Sequence, residues 1–125
     1  MKKILIVDDN ADYRYLLRTA LEKSGYEVDE AEDGITVEKI FFQKASDVII
    51  MDLFLPKRDG IHAISSIKNK FSNIKIIAIS GVSSIGRTNI LLNKALEYGA
   101  DITMTKPIKI EELLSNIKRL TNNEN

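Results

Sequence analysis

The chain has no cysteine. That excludes a disulfide framework, a thiolate metal site and a cysteine nucleophile, and it suits the cytoplasm. There is no excess of charge of either sign, since 18 basic residues balance 18 acidic ones, so electrostatics give no case for nucleic-acid binding. Long apolar runs are missing as well. The aliphatic stretch at residues 4–7 is too short for a signal-peptide core despite Lys2 and Lys3 before it, and nothing approaches the ~20 apolar residues of a membrane span. Histidine occurs once, at His62, beside a turn where a solvent-facing side chain is expected. No internal repeat, Gly-x-Gly-x-x-Gly or Walker sequence is present, which removes the usual nucleotide-cradling loops. What remains is 125 residues, 44% hydrophobic and 29% charged, enough for one domain with a real core and too few for two.

Short aliphatic runs alternate with helix-patterned stretches. Strands are expected at residues 2–7, 28–31, 47–51, 74–79 and 102–105. Between them lie helices whose inward faces carry Tyr13, Leu17, Ala20 and Leu21; Val37, Ile40 and Phe41; Ile61, Ile64, Ile67 or Lys68, and Phe71; and Leu91, Leu92, Ala95 and Leu96. A fifth helix follows with Ile110, Leu113, Leu114 and Ile117. Asp8, Asp9 and Asn10 supply capping side chains for the first helix, and Gly25 closes it. Continuous apolar strands joined by helices indicate an α/β fold, a doubly wound parallel sheet of five strands with five helices. Its domain runs over residues 1–121, and residues 122–125 form a polar tail. Thr121 stands at the start of that frayed end.

In a parallel sheet every strand delivers its carboxyl end to one edge. Asp8 and Asp9 follow the first run, Asp52 the third, Ser80-Gly81 the fourth, and Lys106 the fifth. Asp8 and Asp9 taken alone are as readily helix caps as ligands. Asp52 changes that balance, because three carboxylates at one edge repel one another unless a cation lies among them. A hard divalent ion with oxygen ligands, Mg²⁺ before Zn²⁺, answers the chemistry. A carboxylate nucleophile, a cation, a lysine and a hydroxyl next to a residue without a side chain together indicate phosphoryl transfer.

These residues resemble the receiver domain of two-component response regulators. The likeness is carried by Ile-Val-Asp-Asp at 6–9, Asp52-Leu-Phe-Leu-Pro56 with Asp59-Gly60, Ser80-Gly81, Gly99-Ala100-Asp101 and Lys106-Pro107. The resemblance implies a flavodoxin-like receiver architecture in which Asp52 is the phosphoacceptor, taking its phosphoryl group from a histidine kinase or histidine phosphotransfer protein. It implies Mg²⁺ held directly by Asp9 and Asp52, mainly through water by Asp8, and by the backbone carbonyl of Phe54. Lys106 would pair with one phosphoryl oxygen and Ser80 with another, Gly81 would leave room, and the bond before Pro107 would be cis. The domain would signal by binding a downstream protein target rather than by turning over a substrate, with no direct nucleic-acid contact and no membrane insertion.

Two departures from the pattern matter. Receivers usually carry Tyr or Phe three residues before the lysine, an aromatic that swings inward on activation; here Thr103 stands there, so the familiar rotor is missing. The stretch between Ser80 and Gly99 is also about one helical turn longer than in typical members. Phe54 and Val82, two places after the acceptor and after the hydroxyl residue, flank the path of an attacking water and cannot hydrogen-bond it, which implies slow self-hydrolysis. Rival readings are a flavodoxin-like nucleotide carrier, an Asp-nucleophile phosphatase and a scaffold that is never phosphorylated. The first lacks its phosphate loop, the second lacks Asp-x-Asp after one strand, and the third should have lost Asp52, Lys106 or the acidic pair.

Overall fold

The computed structural model describes residues 2–33, 36–43, 46–54, 60–81 and 87–121. Along the chain it runs β1 (Lys3–Val7), α1 (Ala11–Lys23), β2 (Glu27–Ala31), α2 (Thr36–Gln43), β3 (Val48–Asp52), α3 (Gly60–Lys70), β4 (Lys75–Ser80), α4 (Arg87–Tyr98), β5 (Ile102–Thr105) and α5 (Ile110–Thr121). The strands pair in parallel in the order β2-β1-β3-β4-β5. Strand order reverses between β1 and β3, and that switch point opens a crevice at the carboxyl edge of the sheet.

The aliphatic runs are continuous because the sheet is covered on both faces. Ile4, Ile6, Val48, Ile50, Ile77 and Ile79 point to one side, where Leu17 and Leu21 of α1 and Leu113 and Ile117 of α5 close over them. The intervening Leu5, Val7, Ile49, Met51, Ile76 and Ala78 point to the other, against Val37, Ala63, Ile64, Ile67 and Ala95 of α2, α3 and α4. Strand alternation thus feeds two cores from one set of strands.

Local chemistry sets the ends of α1. The Asn10 side chain accepts the Tyr13 N–H, and Gly25 turns the chain out with φ +95°. At the far end of the fold, Gly99 (φ +125°) performs the same turn after α4. The next polar residue, Asp101, accepts both the Ile76 N–H at 2.8 Å and Lys68 Nζ at 3.1 Å. The Gly-Ala-Asp signature is therefore a stitch between α3, α4 and β4, distant from the site.

Asp52, Ser80, Leu96 and Thr121 depart from expectation. Asp52 and Ser80 are the last residues of β3 and β4 rather than the residues after them, since the ladder continues through Asp52↔Ile79 and Ser80↔Thr105. Leu96 is 46% exposed instead of inside. Thr121 is buried and belongs to α5, its hydroxyl satisfied by donating to the Ile117 carbonyl. Phe41, Pro56, Asp59 and the 122–125 tail include side chains or segments outside the described residues.

An ion-pair network fastens α1 to the sheet edge. Glu30 on β2 accepts Arg14 Nε at 2.8 Å and Arg18 Nη1 at 2.7 Å, while Arg14 Nη1 donates to the Asp8 carbonyl. Burial alone would raise the Glu30 pKa, but the hydrogen bonds from Arg18 and then Arg14 outweigh it and hold the carboxyl below its ordinary 4.5. A depressed carboxylate adds stability that is complete above the ordinary value and fades as pH falls through the folded-state one. Glu30→Gln should therefore cost about 1 kcal/mol in urea unfolding at pH 7. The deficit should shrink steadily once pH drops below 4.5; an equal deficit at every pH would contradict it.

Candidate functional site: an acidic crevice with a lysine

The carboxylates converge as the strand ends dictate. Asp8 follows β1, its N–H donating to the Ala31 carbonyl, and its side chain is buried. Oδ1 accepts the Asn10 N–H, which fixes the turn into α1. Asp52 ends β3, is 5% exposed, and accepts the Phe54 N–H on Oδ1 at 2.8 Å. Asp9 is exposed at the mouth. One oxygen from each of Asp8, Asp9 and Asp52 lies within 4.8 Å of the others. Three hard oxygen donors at that separation, one open to solvent, fit a Mg²⁺ ion that keeps several waters.

Lys106 enters from the neck of β5. Its N–H donates to the Ser80 carbonyl, the bond to Pro107 is cis, and Nζ donates to Asp8 Oδ2 at 2.9 Å and Asp52 Oδ2 at 3.0 Å. Ser80 is fully buried at the end of β4, its hydroxyl reaching only weakly to the Gly81 carbonyl at 3.3 Å. Among the described residues a Cβ built on Gly81 would meet nothing within 4 Å. Phe54, two residues after Asp52, is 50% exposed. Thr103 sits half-buried on β5 beside Ala78. Val82 lies outside the described residues.

Burial pushes the Asp52 carboxyl above its ordinary value; hydrogen bonds from Phe54 and Lys106 offset part of this, and the neighbouring charge of Asp8 adds to it. Burial pulls Lys106 down, but its hydrogen bonds to Asp8 and then Asp52 outweigh that and leave it raised. The shifts are not mirror images because the Asp52 side chain is 7% exposed and that of Lys106 25%. Desolvation wins on the carboxyl and the ion pair wins on the ammonium. Two carboxylates share one ammonium, so the crevice carries unbalanced negative charge that favours a cation.

Sequence reasoning missed two contributors. Arg14 anchors the Asp8 carbonyl from α1. Tyr13, expected on the core face of α1 or else at a docking surface, places its ring 4.4 Å from Lys106 Nζ. Their i,i+1 spacing gives no sign of this, because both contacts cross to other elements. A shallow cleft at the opposite sheet edge, lined by Ser46, Asp47, Phe71 and Asn73 among others, is remote from this chemistry.

A family model described as the response regulator receiver domain matches residues 4–118. The chemotaxis protein CheY of Halobacterium salinarum is 38% identical over 108 residues, covering 86% of this chain and 87% of that protein. A probable transcriptional regulator of Guillardia theta is 35% identical over 124 residues, covering 99% of this chain and 47% of its own length. The chain spans about half the length of the transcriptional regulators it matches. Among solved structures, a two-component response regulator from Clostridium difficile superposes with a TM-score of 0.89 at 25% identity, over 100% of this chain and 99% of that one. A CheY-like receiver domain protein from Methanospirillum hungatei gives 0.87 at 27% identity, over 99% and 97%.

Proposed function

The chain belongs to the response regulator receiver domain family, and from that premise we propose that Asp52 is its phosphoacceptor, charged by a phosphohistidine on a kinase or phosphotransfer protein. The supporting observation is the convergence of Asp8, Asp9, Asp52 and Lys106 on one crevice at the switch point of the sheet. A carboxylate oxygen of Asp52 attacks phosphorus, an O–P bond forms, and the P–N bond to the histidine breaks with its electron pair leaving on the imidazole nitrogen. Asp8, Asp9, Asp52 and the Phe54 carbonyl would hold Mg²⁺, which when bound supplies charge neutralisation for the phosphoryl oxygens.

The protein's own groups do the remainder. Lys106 is already directed at the acceptor and transfers its hydrogen bond from Asp52 to a phosphoryl oxygen. Ser80 has a hydroxyl with only a weak internal partner, free to turn to another oxygen. Gly81 leaves room beside it. Residues 1–121 act as the receiver, and phosphorylation changes what the surface binds in a downstream protein. Among the described residues no helix is long and apolar enough to cross a membrane.

The direct test is incubation with acetyl phosphate and Mg²⁺, reading intact mass. One phosphoryl adduct on the native chain and none on Asp52→Ala is the expected result. Many equivalents of phosphate ester turned over instead would make the protein a hydrolase, and no adduct from any donor would leave a scaffold. Lifetime supplies a second prediction. With the half-exposed Phe54 two residues after Asp52, the phosphorylated chain should persist for many minutes in Mg²⁺, and Phe54→Ala should hydrolyse faster by several-fold. Decay of the native adduct within seconds would refute the shielding role.

A further inference from the structure

We propose that Tyr13 is a positioning residue for Lys106, holding the ammonium with its ring face and the following backbone with its hydroxyl. This rests on the reading of Asp52 as phosphoacceptor. Tyr13 lies in the first turn of α1, half-buried against the core that α1 and α5 share. Its ring centroid is 4.4 Å from Lys106 Nζ. The same residue's hydroxyl oxygen accepts the N–H of Ile108, two places beyond the lysine, at 3.2 Å. One side chain therefore grips the segment 106–108 twice, once through its side chain and once through its backbone.

A lysine ammonium on a four-carbon stem is poorly fixed by point contacts, because the stem keeps its rotamers. Asp8 and Asp52 hold Nζ from the crevice side. Both of those partners are carboxylates, and Lys106 has to leave Asp52 for a phosphoryl oxygen during transfer. The ring is a partner that stays with the ammonium while the anions exchange, since the attraction of a π face for a cation is broad in direction. The hydroxyl's hold on Ile108 keeps the base of the lysine stem in place during the same exchange. With Thr103 on β5 where the family pattern expects an aromatic, an aromatic ring reaches this lysine from α1.

The experiment compares native protein, Tyr13→Phe and Tyr13→Leu in adduct formation from acetyl phosphate at saturating Mg²⁺. Tyr13→Phe keeps the face and loses the hydroxyl; Tyr13→Leu loses both and keeps apolar bulk. Expected rates fall about twofold for Phe and about five- to tenfold for Leu, with Mg²⁺ affinity, titrated with the metal alone, unchanged. In a Lys106→Ala background, Tyr13→Leu should have no further effect on rate, which a purely structural role would not produce. In NMR spectra the Lys106 Hε protons should be shifted upfield by the ring current in native protein and Tyr13→Phe.

Equal rates for native and Leu variants, equal losses for Phe and Leu, or an unshifted Lys106 signal in the native chain each overturn the proposal. The NMR arm needs no phosphorylation. A native chain that takes no phosphoryl group yet shows the shift would sink the phosphoacceptor reading and leave the placement of Lys106 by Tyr13 standing.

Discussion

Asp9→Ala should abolish Mg²⁺ binding and phosphorylation while leaving the fold as stable as before. The three crevice carboxylates differ in what the fold asks of them. Asp8 and Asp52 are buried and each bonds both a backbone N–H and Lys106, so removing either disturbs a local turn and an ion pair. Asp9 is exposed, and Lys106 bonds the other two and not it. Its removal takes one negative charge from a cluster that is already short of cations, so urea unfolding should move by no more than about 0.5 kcal/mol. What it does remove is the solvent-side oxygen that completes a set of three. Calorimetric titration with Mg²⁺ and the acetyl phosphate assay should both read zero for this variant. Lys106→Ala separates the other half of the site, retaining the metal and losing rate. A wild-type Mg²⁺ affinity in Asp9→Ala would show that the ion is held elsewhere.

The sheet was legible because aliphatic strands covered on both faces leave an uninterrupted pattern, and the site followed because Asp8, Asp9, Asp52, Ser80 and Lys106 all stand at strand ends. Less could be read wherever a neighbour decides. Leu96 has the right helical spacing for the core, but α4 packs at its rim and leaves that side chain in solvent. Thr121 reads as tail because it is polar, yet its hydroxyl is satisfied within α5 and the residue can be buried. Asp101 carries no sign in sequence of serving both Lys68 and the Ile76 N–H, since those partners come from α3 and β4. Tyr13 was placed on the correct face of α1, while its contact with Lys106, 93 positions later in the chain, depends on how the β5–α5 connection passes over that helix.

Gly60→Ala should be the most damaging conservative substitution at the site, and Gly81→Ala its control. Gly60 opens α3, and its N–H donates to the Leu53 carbonyl, drawing the helix start against the end of β3. A Cβ there would lie 2.5 Å from the Asp52 carbonyl oxygen and 2.7 Å from Leu53 Cα. Both are backbone atoms at the end of the strand that carries Asp52, and Leu53 is itself tied to Ile79 of β4, so neither can move aside alone. Overpacking of this kind costs about 1–3 kcal/mol. For a domain of this size that lowers the melting temperature by roughly 5–10 °C. The strand end must also shift, carrying Asp52 away from Lys106, so phosphorylation should slow together with the loss of stability. At Gly81 a Cβ meets nothing within 4 Å among the described residues. Gly81→Ala should therefore melt with the native chain and slow phosphorylation alone, by occupying the room beside the acceptor. If Gly60→Ala melts at the native temperature, the close approach of α3 to β3 is wrong; if Gly81→Ala phosphorylates at the native rate, the space beside Gly81 is not where the phosphoryl group sits.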